Sequence, residues 1–292
     1  MYNSVINNKS NKDKKAISYL FLLALSLFSL LNFPEANAQG NLLITPRRIV
    51  FDGSRRVMEL NLANTGQDTS KYNVSIVQYR MTDDGAFEEI TEPAPGQNFA
   101  DKYIRFFPRT VILAPNESQV VKMQVTNTSN LAPGEYRSHV YFRAVPKETA
   151  LGEEDPNRDT TALSIKLVPI FGITIPVIIR IGQSDTKVSI SDLKLETVND
   201  TTNRLSMVFN RTGNMSVYGD LRITHISPSG KESIVGIVNG IAVYTPNTIR
   251  RFNLDLDNSP KADFKTGKIR VTYSSQSDTH PEKYSETELT IQ

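Results

Sequence analysis

Short segments of the chain alternate between apolar and polar residues, and turn dipeptides separate these segments. Met58, Leu60 and Leu62, for example, alternate with Glu59 and Asn61. A period of two is typical of a strand with one buried face, and no long segment shows the period of an amphipathic helix. The pattern therefore predicts an all-β protein whose strands are joined by short turns.

The predicted strands fall into two groups on either side of a polar joint at 182–185. The first group starts with a hairpin at 41–64 that turns at Asp52-Gly53, and its further strands lie at 72–80, 103–108, 119–125 and 135–145. The second group has strands at 188–197, 204–210, 220–225, 231–238, 250–256, 268–274 and 286–292. Strands at this spacing predict two β-sandwiches, one over 39–181 and a smaller one over 182–292.

The longest apolar run after the N-terminal leader is Ala162–Ile181. Its first half alternates, with three apolar residues on one parity: Leu163, Ile165 and Leu167. From Val168 onward both parities are apolar, as in a strand that is covered on both faces. The polar and acidic segment before it, Lys147–Thr161, is either a mobile loop or an ordinary surface hairpin loop.

A membrane helix is the competing interpretation of this run, and its prolines argue against it. Pro169, Gly172 and Pro176 break helices, while Ile and Val favour strands. Because proline cannot donate to a central ladder, Pro169 and Pro176 predict an edge strand or a strand with bulges. A long apolar edge strand aggregates unless it pairs, so we expect this one to pair with another chain.

The first 38 residues predict a cleaved signal peptide rather than a membrane anchor. Four lysines precede the apolar segment Ala16–Phe33, and Ala36-Asn37-Ala38 is a small-x-small cleavage site before Gln39. The leader holds four of the 33 basic residues and two of the 31 acidic residues, so the mature chain has 29 of each. A net charge of zero argues against a nucleic-acid partner.

The residues that usually carry catalysis are missing or scattered. The chain has no cysteine, and its three histidines are His139, His225 and His280, which lie far apart without metal-ligand neighbours. No G-x-S-x-G elbow and no P-loop occurs. We therefore expect no enzyme activity, no catalytic residue, no metal, no cofactor and no small-molecule substrate.

Five segments in this order resemble the PapD-like periplasmic pilus-assembly chaperones. They are RRIVFDG at 47–53, RFFPRTVILAPNESQVVKMQV at 105–125, GEYRSHVYFRAVP at 134–146, ALSIKLVPIFGITIPVIIR at 162–180 and FNRTGNMSVYGDL at 209–221. The last of them is similar to the archaic, Csu-like branch. Together they cover nearly all of the mature chain.

The resemblance implies two immunoglobulin-like sandwiches in an L-shaped arrangement. It implies a periplasmic chaperone that acts in fimbrium biogenesis and cell wall organization. Its partners would be pilus subunits and an outer-membrane usher. The chaperone lends strand G1 to a subunit that lacks its last strand, so Leu163, Ile165 and Leu167 would enter the subunit groove. An exported immunoglobulin-like structural or adhesive surface protein is the alternative.

The resemblance also implies a basic pair that binds the subunit's terminal carboxylate. Arg48 matches the arginine of the first strand, because Ile-Val-Phe-Asp-Gly follows it. The second member is a lysine on G1. Lys166 is the lysine of that segment but lies upstream of the family's position, and Arg137 on the preceding strand is the substitute candidate.

Overall fold

The computed structural model describes residues 42–146, 170–198, 201–258, 262–277 and 281–291. They form eighteen strands and one turn of 3-10 helix at Asp101–Tyr103. The predicted all-β class is confirmed for these residues. Within the same ranges, no helix has the length and apolar character needed to span a bilayer.

The first sandwich consists of two sheets and a small hairpin. Its strands are β1 (Leu42–Thr45), β2 (Ile49–Phe51), β3 (Val57–Asn64), β4 (Ser70–Val77), β5 (Tyr79–Met81), β6 (Phe87–Glu89), β7 (Ile104–Phe107), β8 (Thr110–Leu113), β9 (Ser118–Val125), β10 (Gly134–Val145) and β11 (Gly172–Ile181). One sheet has the order β1-β3-β9-β7, the other has β2-β11-β10-β4-β8, and β5 pairs with β6. This division of the strands is that of an immunoglobulin-like sandwich.

Alternation along the strands builds the core between these two sheets. In β9, Val121 and Met123 are fully buried, and in β3 the same holds for Leu60 and Leu62. Burial of such a side chain contributes about 1.5–3 kcal/mol before ordering costs. The core residues on the facing sheet include Val140, Phe142, Val177 and Ile179.

The second sandwich has its own core. Its strands are β12 (Lys187–Val198), β13 (Thr202–Thr212), β14 (Val217–Ile226), β15 (Glu232–Val243), β16 (Ile249–Asp255), β17 (Gly267–Ser275) and β18 (Lys283–Ile291). The sheet orders are β12-β13-β16 and β15-β14-β17-β18. Phe209, Leu221 and Tyr273 are fully buried between them. The seven strands predicted for this half are confirmed within a few residues at each end.

The predicted hairpin at 41–64 is confirmed for its outer arms, Leu42–Thr45 and Asn61–Asn64, and is wrong for the turn at Asp52-Gly53. β1 pairs antiparallel with β3, but β2 leaves that sheet and pairs parallel with β11 in the other one. The chain crosses between the sheets at Pro46–Arg48, after a cis Thr45-Pro46 bond. The Asp-Gly pair therefore ends a strand that changes sheets, and Arg48 lies at the crossing.

The segment 104–125 also contains one strand more than expected. The residues between Phe107 and the turn at Ala114–Glu117 form β8, which pairs with β4 in the sheet opposite β7 and β9. Val111 and Leu113 of this short strand are buried on one parity. The alternation was present in the sequence, but four residues between two turns are too few for a period of two to stand out.

β11 is both an edge strand and a central strand. β10 pairs with it along its whole length, whereas β2 covers its other side only at Val177–Ile179. The edge prediction drawn from Pro176 is therefore confirmed for Gly172–Pro176 among the described strands and is wrong for Val177–Ile179. The preceding part of the run, 162–169, and the segment 147–161 lie outside the described residues.

The hairpin β5–β6 of the first sandwich packs against the second sandwich. Met81 is buried with Ala242 and Tyr244. The Asn247 Nδ2 donates to the Met81 carbonyl oxygen at 2.8 Å. The Arg251 backbone N–H donates to the Asp83 carbonyl oxygen at 2.6 Å. These contacts fix the second sandwich beside the outer face of strands β10 and β11.

Candidate functional site

Ionisable residues line the outer face of β10, opposite the core. Glu135, Arg137 and His139 alternate with the core-facing residues of the strand and are each at most 5% exposed. Arg180 on β11 lies directly across from Glu135 in the antiparallel register. Buried charges need partners, because desolvation of an unpaired ion is very costly.

The carboxylate of Glu135 accepts hydrogen bonds from two arginines of the first sandwich and from Ser216 beside the second. Its Oε1 accepts hydrogen bonds from Arg137 Nη2 at 2.5 Å and Arg137 Nε at 3.1 Å. Its Oε2 accepts one from Arg180 Nε at 3.3 Å and two from Ser216, from Oγ at 2.7 Å and from N at 3.1 Å. Burial alone would raise the pKa of Glu135, but the two guanidinium groups and Ser216 lower it to about 2.

Arg137 is committed to this network. Besides Glu135, its Nη2 donates to Ser216 Oγ at 2.7 Å, and its guanidinium lies 3.5 Å from the ring centre of Tyr244. Burial lowers the pKa of Arg137, but the interaction with Glu135 outweighs it and the pKa is raised. Arg137, the substitute candidate for the carboxylate anchor, is therefore already neutralised by Glu135.

Arg48 has hydrogen-bond donors to spare. Its guanidinium lies 4.2 Å from the ring centre of Tyr218, and its Nε is buried without a hydrogen-bond partner among the described residues. Burial, followed by repulsion from Arg137 and Arg180, lowers its pKa to about 10. Arg48 is still protonated at neutral pH, and a carboxylate would relieve both costs.

Arg180 is the residue that the sequence interpretation missed. Its Nη2 donates to the Ser216 carbonyl oxygen at 2.8 Å, and its side chain is 27% exposed. A signal for it exists, because Arg180 has the parity of the outward-facing residues on a strand whose other parity is apolar. Arg48 and Arg180 both line one open cavity.

This cavity, which we call the joint cavity, has a volume of about 630 Å³. The first sandwich contributes the two arginines, and the second sandwich and the segment joining the two contribute the rest. Its lining consists of Arg48, Arg180, Ser184, Thr186, Lys187, Val188, Ser216, Val217, Tyr218, Glu282, Lys283 and Tyr284. A cavity of this size with cations on one wall suits an anionic ligand.

The segment 209–221 of the second sandwich builds its side of the joint. Arg211 is 3% exposed and donates to the carbonyl oxygens of Gly213 and Met215, both at 2.8 Å. Gly213 has a φ of +90°, and a Cβ there would lie 2.6 Å from the Thr186 Cα. This tight turn presents Ser216 to Glu135 and Tyr218 to Arg48.

The other candidate residues are only partly placed. Lys166 and the three donor residues, Leu163, Ile165 and Leu167, lie outside the described residues. His139 is buried within rings of Tyr79, Phe87 and Tyr244. His225 bonds through Nε2 to the Thr266 carbonyl oxygen at 2.9 Å. Across the described part of the chain, no three His, Asp or Glu side chains are grouped to hold a metal ion.

No protein-family model and no curated protein sequence matches the chain. Among solved structures, the YadV chaperone matches 86% of this chain over 100% of its own, at 12% identity and a TM-score of 0.42. The CupB2 chaperone of Pseudomonas aeruginosa matches 85% of this chain over 99% of its own length, at 14% identity and a TM-score of 0.40.

A chain of the CsuC–CsuE chaperone–tip adhesion subunit pre-assembly complex of Acinetobacter baumannii also matches. It covers 72% of this chain over 89% of its own, at 12% identity and a TM-score of 0.38. At such identities and scores, function has to be argued from the residues of this chain.

Proposed function

We propose that this protein is a pilus-subunit chaperone of the PapD-like family, in its archaic branch, and that it works by donor-strand complementation. It binds a subunit that lacks its last strand, fills the subunit's groove with β11 and the residues before it, and delivers the subunit to an outer-membrane usher. The activity is binding alone, with no reaction and no cofactor. The observation that carries the proposal is the open edge of β11, which leads to Arg48.

The open edge sets the direction of the bound strand. β2 runs parallel to β11 and begins at Ile49, opposite Val177. The free backbone of Gly172–Pro176 lies on the same side of β11, directly before that start. A subunit strand that runs parallel to β11 along this edge would point its C-terminus at Arg48. A subunit strand that runs in the opposite direction would start at Arg48, and the guanidinium would repel its terminal ammonium group.

A terminal carboxylate fits the cation pair at this end. Arg48 has a buried Nε without a partner among the described residues, and Arg180 is partly exposed at the same cavity. An arginine fork can donate to both carboxylate oxygens. We therefore assign Arg48 and Arg180 as the carboxylate anchor, in place of Lys166 or Arg137.

The parity of β11 supports the proposed donor residues. Ile173, Ile175, Val177 and Ile179 face the core of the first sandwich. Leu163, Ile165 and Leu167 have the same odd parity, so an uninterrupted strand would present them on one face. In the proposal these three side chains enter the apolar groove of the subunit. Anchoring the chain end at Arg48 then fixes the register, because a one-residue slip would turn the wrong face to the groove.

The proposed location is the periplasm, after cleavage of residues 1–38 before Gln39. The proposed domains are 39–181, which carries the donor strand, and 182–292, which supplies the second wall of the joint cavity. Separate cores on either side of Gly182 support this division. The small-x-small motif at Ala36–Ala38 supports cleavage.

Co-expression with candidate pilus subunits, followed by pull-down from the periplasm, tests the function. We expect a one-to-one complex with a subunit that lacks its final strand, and Gln39 as the first residue of the captured chaperone. The matched control is a subunit extended by its own missing strand, which should not be captured. A protein that stays on the cell surface and captures neither form would favour the structural or adhesive alternative.

A further inference from the structure

The joint cavity extends past the two arginines onto the second sandwich. There Lys187 begins β12, and Glu282 and Lys283 lead into β18. The volume of about 630 Å³ far exceeds that of a carboxylate group, given that one water occupies about 30 Å³. A chain whose terminal carboxylate reaches Arg48 therefore has room in the cavity for its last side chain.

The charges around the cavity do not cancel. Among the described residues, they belong to the cavity lining, to its ion-pair partners and to Arg137, which shares Glu135 with Arg180: Arg48, Arg137, Arg180, Lys187, Lys283, Glu135, Glu282 and Glu286. Five are positive and three negative, which leaves a net charge of +2. One terminal carboxylate neutralises half of it.

We propose that the second sandwich selects subunits whose last residue is acidic, which deepens the proposed function and rests on it. The terminal carboxylate binds Arg48 and Arg180, and the carboxylate of the last side chain meets Lys187 and Lys283. A chain that ends in Asp or Glu brings the two negative charges that the cavity lacks. A chain that ends in Lys brings one charge of each sign and leaves the net charge of +2 unchanged.

The two lysines are free enough for this role. Lys187 is exposed and forms no ion pair with any described residue. Lys283 pairs with Glu286 at 3.0 Å, but both side chains are exposed. Such surface pairs are weak and exchange partners readily, so a ligand carboxylate can compete. Each contact is screened by salt, because the Debye length is about 8 Å at physiological ionic strength.

Fluorescence polarisation with labelled decapeptides tests the selection on the mature protein. The peptides alternate Val and Thr and differ only at the C-terminus. The last residue is Asn, Asp or Lys with a free carboxylate (Asn acid, Asp acid, Lys acid) or Asn with a C-terminal amide (Asn amide). We expect Asn acid to bind more tightly than Asn amide, which reports the anchor. We expect Asp acid to bind about 3- to 10-fold more tightly than Asn acid at low salt, and Lys acid more weakly than either.

Two double variants complete the experiment. Lys187→Gln with Lys283→Gln should remove the preference for Asp over Asn and leave the preference for acid over amide. Lys194→Gln with Lys231→Gln, at exposed positions outside the cavity lining, should change neither preference.

Two outcomes overturn the selection alone. One is equal affinity for the Asp and Asn acids alongside an intact difference between acid and amide. The other is a preference for Asp that survives Lys187→Gln with Lys283→Gln. Loss of the acid–amide difference, or no binding of any peptide, overturns the anchor and the selection together.

Discussion

Ser216 of the second sandwich donates two hydrogen bonds to Oε2 of Glu135 in the first, from Oγ at 2.7 Å and from N at 3.1 Å. The two residues are 81 positions apart in the chain. The same carboxylate holds Arg137 and Arg180, so one acid joins the sandwiches and fixes the cations of the joint cavity. This explains why a buried carboxylate is tolerated where three arginines converge.

Glu135→Gln should destabilise the protein strongly, because it leaves Arg137 buried without its counter-ion. Loss of one partner of a buried ion pair costs about 3–5 kcal/mol. Urea unfolding of the mature protein measures this change. Glu59→Gln is the control, because Glu59 Oε1 lies 3.6 Å from Lys122 Nζ in an exposed ion pair. This substitution should cost less than about 1 kcal/mol of unfolding free energy. Equal effects of the two substitutions would show that Glu135 does not hold the joint.

His139 should make the stability depend on pH below about 6.5. Burial, followed by repulsion from Arg137, lowers its pKa to about 3. Since the unfolded histidine has a pKa of about 6.5, the unfolded state binds the proton first and stability falls as the pH drops through this window. The slope is about 1.4 kcal/mol per pH unit.

His139→Phe should remove this contribution and leave a flatter pH profile between about pH 6.5 and pH 5.5, above the range in which the unfolded-state carboxyl of Glu135 takes up its proton. The measurement is the free energy of unfolding in urea at several pH values. A profile identical to that of the wild type would mean that His139 is hydrated in solution and takes up its proton freely.

Arg48→Ala should leave the chaperone folded and exported while its subunits fail to accumulate. Loss of charge-assisted hydrogen bonds to the carboxylate should weaken binding about 10- to 100-fold. Arg48→Lys should rescue only in part, because an ammonium does not reproduce the guanidinium fork. Periplasmic subunit levels are the readout, beside Arg47→Ala as the adjacent control. Normal levels with Arg48→Ala and loss with Arg47→Ala would place the anchor on the other arginine.

Arg180→Lys should bind subunits more weakly than the wild type and more tightly than Arg180→Ala. The lysine keeps the positive charge but cannot reach Glu135, Ser216 and the ligand together. Titration of the purified variants with one captured subunit gives the three affinities. Arg143→Ala, at an exposed position on β10, is the control. An Arg180→Ala protein that binds as well as the wild type would leave Arg48 as the single anchor.

Ile165→Asp combined with Leu167→Asp should abolish subunit binding. In the proposed complex both carboxylates would be buried unpaired in an apolar groove, which is strongly unfavourable. Ser164→Asp with Lys166→Asp, on the opposite parity, is the matched control. Pull-down from the periplasm compares the two variants. Retention of subunits by the odd-parity variant would show that another segment fills the groove.

The sequence by itself determined the all-β class and most of the residues that form strands, although the short strand β8 was not found. Alternation is a local property, so the strands of the second sandwich and the polar joint at 182–185 could be found without coordinates. The five segments at 47–53, 105–125, 134–146, 162–180 and 209–221 likewise pointed to Arg48 before any geometry was known.

Only the tertiary structure decided which strands are neighbours. β2 was expected to turn back at Asp52-Gly53, yet it crosses to the other sheet and ends up beside β11. Glu135 and Arg180 meet because β10 and β11 pair in one particular register, and Ser216 reaches them from the other sandwich. Period-two alternation fixes the face of a strand but carries no information about its partner, since pairing depends on contacts between residues that are distant in the chain.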